Sequence, residues 1–211
     1  MKNAPRMKLL LFPHTIPAEE ILAEMRSWDI LPLFVFEAID FLENILTKDF
    51  EVLEMGAGNS TLWFAQRVKK VVALEATGGW TTAVRKRLED EGLTNAKIYL
   101  NNEWSRNILP KLRGELFDLV VCDGDDGVPG CRQVCIGVGY TFVKPGGYLV
   151  IDDSQRVEYQ SALTSLYEGG CKNWEKWVFV GYIHSDSLAA RETPTGHALT
   201  ILRRPSSGVT E

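Results

Sequence analysis

From residue 50 onward, short apolar or β-branched runs alternate with longer stretches in which apolar side chains recur every three or four positions. The runs at 50–55, 71–74, 97–100, 117–122, 148–151, 177–183 and 197–202 predict seven strands. Between them, 60–68, 79–91, 130–143 and 158–167 carry helical periodicity, which is the pattern of a parallel sheet with crossover helices. Only a polar loop, 184–196, separates the last two runs, so these predict an antiparallel pair at one sheet edge. Ahead of the first strand, 17–28 and 33–46 have helical periodicity, with Pro17 suited to a helix start, and predict a helical cover.

If the strands are parallel, every notable polar cluster falls just past a carboxyl end: 54–61, Glu75, 101–104, 123–126, and Asp152 with Asp153. A solvated loop would explain any one cluster. Five in succession point to a ligand crevice, because open α/β sheets bind outside these ends, where the strand order reverses. The first run leads straight into Gly56, Ala57, Gly58, Asn59, Ser60 and Thr61, with a helical stretch after them. Gly56 and Gly58 permit a tight turn and close approach of backbone to a ligand. Thr61 replaces the third glycine of a dinucleotide fingerprint, while Glu75, 19 positions beyond Gly56, is placed to accept hydrogen bonds from ribose hydroxyls. Glu54 then separates two ligand classes. Two residues before the first glycine, its carboxylate opposes a pyrophosphate but suits an amino group and a sulfonium.

With 211 residues, 45% hydrophobic and 24% charged, the chain is the size of one globular domain. We divide it into a helical cover at 1–48, a core at 49–204 and a flexible tail at 205–211. The net charge of −5 and the lack of a basic tract argue against a nucleic-acid binder. No apolar stretch is long enough for a signal peptide or a membrane span, so a cytoplasmic home is expected. Cys122, Cys131, Cys135 and Cys171 form no CxxC pair and read as reduced, half-buried thiols.

Four segments then carry a resemblance: ValLeuGluMetGlyAlaGlyAsnSerThr at 52–61, ValValAlaLeuGlu at 71–75, PheAspLeuValValCysAspGly at 117–124 and ValLysProGlyGlyTyrLeuValIleAspAsp at 143–153. In order and spacing the chain resembles the class I S-adenosylmethionine-dependent methyltransferases, over about half its length. The resemblance implies an α/β, Rossmann-like methyltransferase fold: a seven-stranded, mostly parallel sheet in the order 3-2-1-4-5-7-6, with an antiparallel C-terminal hairpin and helices on both faces. It implies that Glu54, Gly56, Ala57, Gly58, Asn59 and Ser60 contact the methionine moiety of S-adenosyl-L-methionine. Glu75 and Ala76 would lie at the ribose, Asn102, Glu103 and Trp104 at the adenine, and Asp123 where the methyl group is presented.

Methyl transfer needs alignment and exclusion of water more than catalytic side chains, although a hydroxyl acceptor also needs a base or a metal. The resemblance places Asp123, Asp152 and Asp153 where catechol-type methyltransferases hold magnesium. Against this, Asp126 stands where those enzymes place a lysine, and a hydrogen-bonding role for the acids is favoured. Base candidates are Asp153 and His184, with Asp123 beside them and His14 less well placed. The expected activity is methylation of a small molecule, a sugar, phenol or secondary metabolite, at oxygen. The alternatives are a nicotinamide-binding oxidoreductase and a non-catalytic adenosyl-binding protein. Neither a nucleic-acid nor a membrane partner is expected, and the oligomeric state, a homodimer included, stays open.

Overall fold

The structure is a computed structural model that describes residues 17–27, 29–100, 112, 114–124, 129–181 and 196–206. Its seven strands are β1 (Glu51–Met55), β2 (Lys70–Glu75), β3 (Ala96–Leu100), β4 (Phe117–Cys122), β5 (Val143–Ile151), β6 (Glu175–Gly181) and β7 (His197–Arg203). They form one sheet in the order β3-β2-β1-β4-β5-β7-β6, as expected. β1 to β5 are parallel to one another, and β7 runs antiparallel between β5 and β6. The strand order, not the chain direction, reverses between β1 and β4, so their carboxyl ends open the crevice that such sheets use for ligands.

Among the described residues six α-helices accompany the sheet: α1 (Ala18–Arg26), α2 (Phe36–Ile45), α3 (Asn59–Ala65), α4 (Gly78–Asp90), α5 (Cys131–Gly139) and α6 (Gln160–Glu168). Alternation along the strands divides the core between the two faces. Val52, Val71, Ala73, Leu119, Val121, Val150, Leu199 and Ile201 belong to one cluster, with Ile21, Met25, Phe34, Leu42, Trp63, Phe64 and Val84 from α1 to α4 and their connections. Leu53, Met55, Leu74, Val120, Leu149 and Leu202 belong to the other, with Cys135, Ile136, Leu163 and Leu166 from α5 and α6.

The cover is fixed to this framework by polar contacts as well as apolar ones. Arg87 of α4 donates to the Met25 carbonyl at 2.8 Å, and Arg26 pairs with Asp90. Asn59, at the start of α3, donates from Nδ2 to the Asp29 carbonyl at 3.0 Å. Every residue of α3 is buried, which is why this short helix survives without a side-chain N-cap.

Several expected boundaries move. The helix expected at 130–143 ends at Gly139, and a 3₁₀ turn, Tyr140–Phe142, leads into β5 five residues before the expected strand start. Periodicity alone hides this because the ladder is irregular: Phe117 pairs with Val143, yet Leu119 already pairs with Tyr148. The extra residues of β5 bulge at Pro145 and at Gly146, whose φ of +80° needs glycine. The cover helix expected at 33–46 starts only at Phe36, because Val35 still has extended backbone. Among the described residues no helix is long and apolar enough to cross a membrane.

Candidate active site

Period-two alternation explains why a glutamate is tolerated inside a central strand. Glu54 projects to the same face as Val52, where α3 packs, and its side chain is fully buried. Ser60 and Thr61, in the first turn of α3, donate their hydroxyls to Glu54 Oε1 and Oε2, both at 2.5 Å. Thr61 Oγ1 also accepts from the Gly58 amide at 3.0 Å, so one hydroxyl ties carboxylate, glycine turn and helix together. This is the use of the threonine that replaces the third glycine. Burial pushes the Glu54 carboxyl up to about 8; the two hydroxyls pull it down, and the charges of Asp123 and Glu75 push it further up.

Glu75 ends the adjacent strand on the same face as Val71 and Ala73 and is likewise buried. Its Oε2 accepts from the Ala57 amide at 3.1 Å, and its Oε1 from the amide and hydroxyl of Thr77 at 2.8 and 2.9 Å. These contacts brace the glycine turn and fix the carboxylate, with Ala76 buried beside it. Gly56 has φ +120° and donates its amide to the Leu74 carbonyl at 2.8 Å. A Cβ at this position would lie 2.2 Å from the Asp123 carbonyl oxygen. Only a residue without a side chain lets β1 turn this closely past the end of β4. Gly58 is different, with extended backbone and Ser60 Oγ, 4.0 Å away, the nearest atom to a built Cβ.

Three acids thus stand at the ends of three neighbouring strands, Glu75 on β2, Glu54 on β1 and Asp123 after β4. Asn102, Glu103, Trp104 and His184 lie outside the described residues, as do His14 and Asp126.

The aspartates expected to share a metal are not gathered that way. Arg132 of α5, only 5% exposed, pairs with Asp123 Oδ1 at 2.7 Å and donates to the carbonyls of Gly124 at 2.7 Å and Asp152 at 3.2 Å. Its charge also acts on the carboxyls of both Asp152 and Asp153. The cation among the three acids is therefore the protein's own guanidinium. Among the described residues no group of three or more potential ligand side chains could hold a metal ion. The residues present do not fit a resident magnesium ion. Addition of millimolar magnesium or of a chelator is expected to leave the melting temperature unchanged; a rise of several degrees with magnesium would return these acids to metal binding.

Asp153 has φ +54°, unusual for a residue other than glycine. It pairs with Arg156 at 2.5 Å, accepts from Gln155 Nε2 at 3.3 Å, and lies 3.2 Å from His197 Nδ1. Burial works against its charge, but the His197 contact and the positive charges of Arg156 and Arg132 win, holding the carboxyl down at about 2. A carboxylate held so low is a weak base near neutral pH. Burial and the charges of Asp153 and Asp123 push Asp152 well above the usual carboxylate range.

Arg132 and His197 are the residues that sequence reasoning missed. An arginine inside a helical run reads as a surface charge, and His197 reads as the first residue of a strand. The four cysteines are all buried and free; burial keeps Cys122, Cys135 and Cys171 protonated, which suits packing and not nucleophilic chemistry.

Comparison with known proteins agrees with this fold. A family profile described as a methyltransferase domain matches residues 53–154, from β1 to just past β5. No curated protein matches the chain in sequence. Among solved structures, an rRNA methylase from Streptococcus thermophilus is similar with a TM-score of 0.61 and 20% identity, over 81% of this chain and 95% of that one. A protein provisionally assigned as an O-methyltransferase, from Klebsiella pneumoniae, gives a TM-score of 0.60 and 16% identity over 95% of both chains. A provisionally assigned methyltransferase from Streptococcus mutans, in complex with S-adenosylhomocysteine, gives 0.58 and 18% identity, over 79% of this chain and 95% of that one.

Proposed function

We propose that the chain is a class I S-adenosylmethionine-dependent methyltransferase and that it methylates a small molecule, a sugar, phenol or secondary metabolite, at oxygen; the methyltransferase-domain match over 53–154 supports the first part. The observation that carries the reading is the set of three acids, Glu54, Glu75 and Asp123, at adjacent strand ends around a turn that only Gly56 can make. With Asp123 paired to Arg132, the charge of Glu75 and the ionised form of Glu54, which a cation favours, suit a cationic ligand and oppose the pyrophosphate of a nicotinamide dinucleotide. A net charge of −5 favours a small acceptor over a nucleic acid. The rRNA methylase among the similar structures shares the fold at an identity too low to carry its substrate over.

When bound, S-adenosylmethionine supplies a methyl group already activated on sulfur, so this chain's residues have to bind, orient and exclude water. Glu54, desolvated and held by Ser60 and Thr61, faces the positive amino acid end, with the Gly56–Ala57–Gly58 backbone making room beside it. Glu75 receives the ribose hydroxyls on the lone pairs its backbone contacts leave. Asp123, oriented by Arg132, borders the place where donor and acceptor meet. Glu75→Ala is expected to weaken binding of S-adenosylhomocysteine roughly 10- to 150-fold, the loss of a charge-assisted hydrogen bond, as read by titration calorimetry. Unchanged affinity would remove Glu75 from the site.

Thermal shift with S-adenosylhomocysteine against NAD tests the cofactor. The first is expected to raise the melting temperature and the second to leave it unchanged. A labelled methyl donor offered with sugars, phenols and ribosomal RNA tests the acceptor. Label entering only the RNA would overturn the small-molecule reading, and cofactor binding without any acceptor methylated would favour a non-catalytic adenosyl-binding protein.

A further inference from the structure

We propose that His197, oriented by Asp153, is the general base that takes the proton from the acceptor hydroxyl. The inference rests on the oxygen-methylation reading above and adds to it the residue that activates the oxygen.

Three observations support it. The first is placement. β7 runs antiparallel to β5, so its first residue, His197, stands at the same sheet edge as the carboxyl ends of β1, β2, β4 and β5. Alternation with Leu199 and Ile201 sets it on the face that Glu54 and Glu75 also occupy. β7 lies two strands from β4, and at about 4.8 Å per strand that leaves roughly 10 Å between the ends of β4 and β7, the span of a one- or two-ring acceptor.

The second is the contact with Asp153. An ionised carboxylate only accepts hydrogen bonds, so the ring nitrogen 3.2 Å from Asp153 Oδ1, Nδ1, must carry the hydrogen. In the neutral imidazole this leaves the lone pair on Nε2. Asp153 is itself fixed, by Arg156 on its other oxygen and by Gln155, whose own Oε1 accepts from the Ala198 amide at 2.8 Å. The left-handed backbone at Asp153 turns its carboxylate toward β7 rather than continuing the direction of β5.

The third observation is that His197 Nε2 is buried and, among the described residues, has no hydrogen-bond partner. A histidine that served only to pack would be expected to satisfy both nitrogens, since a buried polar atom left alone forfeits the hydrogen bonds it had with water. This one is bonded at the end that sets the tautomer and left open at the end that can take a proton.

The step balances without a further reactant. His197 Nε2 takes the proton of the acceptor hydroxyl while an electron pair of that oxygen forms the bond to the methyl carbon. The electron pair of the broken carbon–sulfur bond stays on sulfur. The products are the methyl ether, neutral S-adenosylhomocysteine and an imidazolium paired with the Asp153 carboxylate. Asp153 is thus a positioning residue, acting through His197.

Two measurements test this. The protein has three histidines, so nitrogen NMR of the labelled full chain, with His197→Gln for assignment, can read this ring directly. At a pH where it is neutral, His197 is expected as the Nδ1–H tautomer, and Asp153→Asn, which tolerates the left-handed backbone, is expected to disturb that preference. An Nε2–H tautomer in the wild type would overturn the proposal whatever the acceptor is. With a phenol or sugar methylated by the wild type, His197→Gln is expected to lower kcat roughly 10²- to 10⁴-fold, with KM and the affinity for S-adenosylhomocysteine unchanged. Wild-type kcat in His197→Gln on an oxygen acceptor would overturn the base and leave the functional reading standing. Methylation at nitrogen or carbon, with the expected tautomer, would overturn the functional reading, and with it the base role, while leaving the His197–Asp153 contact in place.

Discussion

Gly56→Ala is expected to abolish the folded protein. The new methyl group would sit 2.2 Å from the Asp123 carbonyl oxygen and 3.0 Å from its carbon, both backbone atoms, on a residue whose φ of +120° already disfavours any side chain. Relief would require β1 and β4 to part where the Asp123 amide donates to Met55 at 2.9 Å, next to the Gly56 to Leu74 bond that ties the turn to β2. The cost is about 4 kcal/mol or more, a large share of the 5–15 kcal/mol that holds a domain of this kind together. Gly58→Ala is the control. With extended backbone and no atom closer than 4.0 Å, it is expected to change stability by less than about 1 kcal/mol while hindering close approach of the cofactor. Soluble yield and circular-dichroism melts of the two variants check both outcomes. A Gly56→Ala protein that melts within a few degrees of the wild type would show that β1 does not turn as described.

The second large effect belongs to Glu54. In the folded, ligand-free protein its carboxyl titrates at about 8 instead of near 4.5, chiefly because it is buried. The folded state therefore keeps a proton that the unfolded chain has already released. The contribution to stability is complete below about pH 4.5 and is lost as pH rises toward 8, at about 1.4 kcal/mol per pH unit through the middle of that range. Glu54→Gln, neutral at every pH and still able to pair with Ser60 and Thr61, is expected to remove this slope and to be the more stable protein at neutral pH. For the cofactor the sign reverses. A cationic ligand favours the carboxylate, so affinity for S-adenosylmethionine is expected to rise with pH between about 6 and 7.5 in the wild type. In Glu54→Gln it is expected to be roughly 10- to 150-fold weaker and nearly flat with pH. Urea melts and calorimetric titrations at several pH values check the two halves separately. Equal cofactor affinity in both proteins would mean that Glu54 serves folding alone.

Much of this was legible in the sequence, for identifiable reasons. The central strands are buried on both faces, so they appear as unbroken apolar runs such as Val71 to Leu74, and the acids that end them stand out by contrast. Glu54 and Glu75 could be placed because a strand fixes which way its side chains project. The start of β5 was hidden because Pro145, Gly146 and Gly147 look like a loop when they form a bulge within the ladder. The three aspartates were legible as a cluster but not as to their use, because Arg132, the side chain that neutralises Asp123, comes from a different element. His197 was harder still. Its chemistry depends on Asp153, 44 positions earlier, and on a backbone conformation at Asp153 that no local pattern announces.

The cover carries a practical consequence for anyone shortening the protein. The family profile begins at residue 53, inviting excision of everything before β1. Yet Ile21, Met25, Phe34, Val35, Ala38 and Leu42 form one continuous core with Val52, Trp63 and Ile201. The Asp29 carbonyl also holds Asn59, next to the glycine turn that we propose as the cofactor site. A truncated version would bare an oily wall and lose the clasp on its own glycine turn. The sequence-recognisable part of this enzyme is thus smaller than the part that has to fold, and libraries or crystallisation variants built to that smaller boundary should precipitate.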